Sequence, residues 1–97
     1  MYTLYVGSPN NTHKIDKDTL DKIKSKTSKF FESYTYVKAR GVFRDTEEDM
    51  VMISIANAEK TKVYELGEEL RSLLKQDGVG VEHNGVYERL ITKVWGS

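Results

Sequence analysis

Ninety-seven residues make one small domain, with room for a single core. Fifteen basic side chains balance fifteen acidic ones. That balance argues against duplex nucleic acid as a partner, because tight non-specific binding needs a cationic excess. With no cysteine in the chain, disulfides, thiolate metal sites and a cysteine nucleophile are excluded.

Residues 2 to 7 alternate as a short strand, with Leu4 and Val6 on one side and Thr3 and Tyr5 on the other. The stretch from Gly7 to Asn11 is made of turn formers and ends it. From Ile15 the period changes: Leu20, Ile23, Thr27 and Phe30 recur every three or four residues, which predicts an amphipathic helix ending near Phe31. Asp16 or Asp18 supplies its cap.

A second strand is expected over 34 to 44, with Thr35, Val37, Ala39 and Phe43 facing the core. Asp45 to Asp49 reads as a polar turn, and "MVMISIA" over 50 to 56 as a third strand with Val51, Ile53 and Ile55 inward. A second helix is predicted from about Glu59 to Lys75 on the stripe Val63, Leu66, Leu70, Leu73 and Leu74. Asn84-Gly85 is a strong hairpin signal, so 79 to 83 and about 86 to 95 are read as strands four and five. The fold class that follows is α+β: a ferredoxin-like βαββαβ plait, an antiparallel sheet with both helices on one face and an added C-terminal strand.

Such a plan leaves the other face of the sheet open. Parity as read from the sequence puts Tyr34, Tyr36, Lys38 and Arg40 there, joined by Tyr5 from the first strand and by Met50, Met52 and Ser54 from the third. Tyr87, Arg89, Ile91, Lys93 and Trp95 extend the row. An aromatic and basic face fits a nucleotide ligand, with a base on tyrosine and a phosphate on Lys38 or Arg40. It fits better still a protein contact, a second copy of the chain first, and an ordinary solvated face is the third reading. The loop from Gly7 to Lys14 offers Ser8, Asn11 and His13 as further ligand contacts, though it lacks the glycine pattern of a phosphate loop.

No catalytic residue and no metal ligand set is expected. His13 and His83 belong to no metal-binding spacing, and the acidic run 45 to 49 lacks that of a calcium loop. No cofactor is called for. The opening "MYTLYVG" is not a signal peptide and no apolar run reaches membrane-spanning length, so the expectation is a cytoplasmic protein without membrane contact.

The segments "MYTLYVG", "VKARGVFRD" and "ELRSLLKQDGVGVE" together resemble a loosely defined group of small ferredoxin-like proteins of phages, plasmids and their prokaryotic hosts. The resemblance implies an accessory protein that works by binding, in host cytoplasm if viral. The function expected is therefore a non-enzymatic binding protein, a phage-type accessory or counter-defence factor that sequesters a nucleotide or masks a host protein. A homodimer or higher oligomer is the expected assembly. The alternatives are an oligomeric interaction module of unrelated role, or a small enzyme with a pocket at the Gly7–Lys14 loop.

Overall fold

The first helix starts where the sequence offers a cap: the Asp16 carboxylate accepts the backbone N–H of Thr19 at 2.8 Å. In the computed structural model, which describes residues 1–9 and 12–92, seven elements follow one another. They are β1 (Tyr2–Gly7), α1 (Lys17–Phe30), β2 (Thr35–Phe43), β3 (Thr46–Ile55), α2 (Lys60–Leu73), β4 (Gly78–His83) and β5 (Val86–Thr92). The strands form one sheet in the order β2-β3-β1-β4-β5, every neighbouring pair antiparallel. This is the expected ferredoxin-like plait, with β5 added beyond β4. Among the described residues no helix is long and apolar enough to cross a membrane.

Both helices cover one face, and the core lies between. Leu4, Val6, Val51, Ile53, Ile55, Val79 and Val81 of the sheet are buried against Ile23 of α1 and Val63, Leu66 and Leu70 of α2. α2 lies close over β5 because it carries glycine at the crossing: a Cβ on Gly67 would run into Ile91 Cδ1.

The β2–β3 hairpin differs from the sequence reading. Its turn is only Arg44-Asp45, both left-handed (φ 49° and 64°), and β3 begins at Thr46 rather than at Met50. Two left-handed residues make the tight turn that matches the twist of a hairpin. That turn pairs Phe43 with Thr46, Lys38 with Val51 and Tyr36 with Ile53. Residues opposite one another share a face. Tyr36 and Lys38 therefore lie on the helix-covered side with the core valine and isoleucine, while Thr35, Val37 and Ala39 stand on the open face opposite Ser54, Met52 and Met50. The expected parity of β2 is reversed.

The reversal is stable because β2 is an edge strand, where α1 gives only shallow cover. Tyr34 donates its hydroxyl to Lys24 O of α1 at 3.1 Å, and the Lys24 ammonium sits 5.3 Å from the centre of the Tyr36 ring. Tyrosine and lysine place apolar bodies against the helix and keep polar tips wet.

Strand β5 holds a second departure. Asn84-Gly85 forms the expected tight turn (φ 52° and 83°). Glu82 then faces Tyr87, but Val81 faces Arg89, so Glu88 is an extra residue in a bulge. The bulge switches parity. Tyr87 stays on the open face, whereas Ile91, expected beside it, turns inward and is 8% exposed under α2. Asn11, Lys93 and Trp95, and the side chains of Phe43 and Arg89, which the sequence places in these features, lie outside the described residues.

Candidate active-site cleft

Antiparallel pairing brings the end of β1, the end of β2, the start of β3, the start of β4 and the end of β5 to one end of the sheet. A cleft of about 670 Å³ opens there, on and around the uncovered face. Tyr5, Gly7, His13, Gly41, Glu48 and Tyr87 are among its walls.

Two of its glycines work by close approach. A Cβ on Gly80 would lie 3.3 Å from Tyr87 Cε2, so glycine lets the Tyr87 ring rest on the sheet. A Cβ on Gly7 would lie 3.0 Å from Gln76 Oε1 and 3.3 Å from Glu48 Oε1, so its absence lets an amide and a carboxylate crowd over the end of β1.

Glu48 is the anionic centre of this arrangement. Its register partner is Gly41, on the open face. Its Oε2 accepts the Ser8 hydroxyl at 3.3 Å and lies 3.8 Å from His13 Nδ1. The Glu48 side chain is 28% exposed and that of His13 51%, so both are open to a ligand. Ser8 is fully buried beneath them.

The loop that carries Ser8 and His13 is stitched to β3. His13 O accepts the backbone N–H of Asp49 at 2.9 Å. On the opposite face, the Asp49 carboxylate accepts Ile15 N–H at 2.8 Å and Arg40 Nη1 at 2.7 Å. The Ile15 amide first, and Arg40 second, hold the Asp49 carboxyl below its ordinary value. On the open face Tyr5 donates its hydroxyl along the sheet to Glu82 of β4 at 2.7 Å. That bond to a carboxylate, with burial, raises the Tyr5 pKa and keeps the phenol protonated.

Of the side chains singled out in the sequence, Tyr5 and His13 line the cleft and Ser8 lies directly under it. Tyr34, Tyr36, Lys38 and Arg40 do not join them; they flank α1 on the other face, and Arg40 is tied to Asp49. The acidic run is split by strand alternation, Glu48 to the open face and Asp49 to the helix face. No group of three metal-ligating side chains forms among the described residues.

Two residues of the cleft, Glu48 and Gln76, are not among the site residues expected from the sequence. Reading the turn as two residues would have placed Glu48 within a strand opposite Gly41. Gln76 has no signal of its own, since only the turn after α2 brings it to the cleft.

No family model matches the chain, and no curated protein does. Among solved structures the chain is similar to a phage SAM lyase in its apo state. The TM-score is 0.66 at 26% identity, over 99% of this chain and 90% of that one. The likeness supports the resemblance to small phage proteins. It also corrects the functional expectation. A neighbour that matches along almost the whole chain is an enzyme, which overturns the reading of a non-enzymatic binding protein and favours the small enzyme with a pocket beside the Gly7–Lys14 loop.

Proposed function

We propose that this protein is an enzyme of the SAM lyase kind, which breaks a carbon–sulfur bond of S-adenosylmethionine in the cleft beside Glu48. The observation that carries the reading is the likeness to a phage SAM lyase over 99% of the chain. A cleft with a held carboxylate and two tyrosines, on the scaffold the two proteins share, supports it further.

The substrate is a sulfonium, a positively charged sulfur bonded to three carbons. A lyase breaks one of those bonds without adding water. The bonding pair goes to sulfur, which leaves as an uncharged thioether. The carbon is satisfied from within the substrate, either by its own carboxylate oxygen, with no proton lost, or by the electron pair of a neighbouring C–H bond, whose proton then passes to water. Glu48 orients the bound cation for reaction, and Tyr5 and Tyr87 offer ring faces to its positive and aromatic parts. His13 stands at the mouth, next to the carboxylate.

Purified protein incubated with S-adenosylmethionine should convert it to a thioether detectable by chromatography with mass detection. Glu48→Gln, which keeps shape and removes the charge that orients the substrate, should slow this about a hundredfold. Substrate left intact by the wild-type chain overturns the reading.

We also infer that a second copy of the chain covers part of the open face. Val37 stands there 53% exposed beside the half-buried Met52, and neither belongs to the cleft wall. Light scattering that returns the single-chain 11.1 kDa at micromolar concentration overturns this.

A further inference from the structure

Glu48 reaches the cleft from a strand end, where a glutamate side chain has three rotatable torsions and water on one side. What fixes it comes from elsewhere in the chain. Arg71, on the buried stripe of α2, is forked on Glu68 through Nε at 2.9 Å and Nη2 at 2.6 Å. Its remaining arm, Nη1, donates to Gln76 O at 3.2 Å, while Gln76 N–H returns to Arg71 O at 2.9 Å. The turn between α2 and β4 is thus closed on itself around left-handed Lys75 (φ 54°). It presents the Gln76 side chain, 8% exposed, toward β1. There Gln76 Nε2 donates to Ser8 O, its Oε1 lies over Gly7, and the Ser8 hydroxyl donates to Glu48.

We infer that Gln76, locked by Arg71, is a positioning residue: it fixes the turn after β1 so that the Ser8 hydroxyl holds the Glu48 carboxylate over Gly7. The inference rests on the proposed lyase reading for its kinetic consequence, but not for its geometry. Neither Arg71 nor Ser8 is part of the cleft wall; both act through Glu48.

Gln76→Met keeps the length and bulk of the side chain and removes its donor. Ser8→Ala removes the hydroxyl and keeps the backbone carbonyl. Each should lower kcat about tenfold with KM changed less than about twofold, because the carboxylate is misplaced rather than lost. The double variant should be no slower than the slower single, since both act on one group. Independently of any substrate, the carboxyl ¹³C resonance of Glu48 should shift in both single variants, and the Gln76 side-chain amide protons of the wild-type chain should exchange slowly with solvent.

Additive losses, an unchanged kcat, or an unmoved Glu48 resonance in Gln76→Met each overturn the inference. If the wild-type chain leaves S-adenosylmethionine intact, the lyase reading falls alone, and the resonance and exchange measurements decide the positioning role. Should Gln76→Met lose its fold, Ser8→Ala carries the same test with a smaller change.

Discussion

The two ends of the sheet carry nearly the same residues and do different things with them. At the cleft end, His13 lies 3.8 Å from Glu48, with Tyr5 and Tyr87 nearby. At the far end, His83 lies 3.7 Å from Glu88, with Tyr2 and Tyr64 nearby. There the groups are consumed by the fold. His83 is stacked flat on Tyr2 with ring centres 4.0 Å apart. Glu88 accepts the Tyr64 hydroxyl at 2.6 Å and pairs with Lys60 at 3.5 Å. Glu48 instead holds one buried hydroxyl and one half-exposed histidine beside a cleft. A histidine, a glutamate and two tyrosines do not make a site. Space next to them does, and here the space comes from glycines and from a turn that returns over β1.

Four experiments bear on that contrast, the largest effect first. Glu48→Gln should cost about a hundredfold in turnover, whereas Glu88→Gln should leave turnover at the wild-type level; equal losses in steady-state rates would erase the distinction between the two ends. Leu70 is fully buried in the single core that both ends share. Leu70→Ala should lower stability by about 2–5 kcal/mol, with amides of Ile15 and Asn84 losing protection from exchange together. Separate transitions would show two units where one is described.

The two ends also differ in what their glycines are for. Gly85 has φ +83° and nothing within 4 Å, so Gly85→Ala should cost about 1–2 kcal/mol of stability from backbone strain alone and spare turnover. Gly7→Ala should do the reverse, since its Cβ meets the Gln76 amide and the Glu48 carboxylate. Melting temperature and turnover measured on both variants separate the two roles, and a Gly7→Ala enzyme with full turnover would refute the crowding argument.

The smallest effect lies in acid. Asp49 is held below its ordinary value chiefly by the Ile15 amide, and Glu88 chiefly by the Tyr64 hydroxyl. The folded chain then binds fewer protons than the unfolded chain near about pH 4. Stability is present above that range and falls as pH drops through it. Asp49→Asn and Glu88→Gln should each flatten the acid side of the melting-temperature profile; unchanged slopes in both would remove these bonds from the account.

Much of the fold was legible because its signals are local. Asp16 caps a helix, Asn84-Gly85 turns a hairpin, and the stripe Val63, Leu66, Leu70 can only face inward. The faces of β2 and β5 were not legible, because each depends on one residue of register. Arg44-Asp45 lacks the glycine or asparagine that usually marks a two-residue turn, so the sequence puts the hairpin too late and the described β2 side chains on the wrong side. Glu88 gives no warning of a bulge in sequence, and it carried Ile91 from the expected open face into the core. The candidate site suffered in the same way. Tyr5, Ser8 and His13 are legible because they flank a strand end, but Glu48 sits in a run that reads as a polar turn, and nothing in the sequence marks Gln76. Its place depends on a guanidinium that reaches it from the helix before.

The reversed strand has a consequence for how such a chain can diversify. Among the described side chains, none of β2 belongs to the buried set, although the strand is nine residues long and sits in the sheet throughout. Its register hangs on the two-residue turn at Arg44-Asp45. Insertion of a single residue in that turn would rotate the strand by half a turn and exchange its two faces wholesale. Tyr36 and Lys38 would then look out beside the cleft, Val37 would lie under α1, and the core would be left as it is. One inserted codon is thus enough to repaint the wall next to the site, so this edge is where variants of the scaffold can acquire new surface chemistry while the rest of the domain holds still.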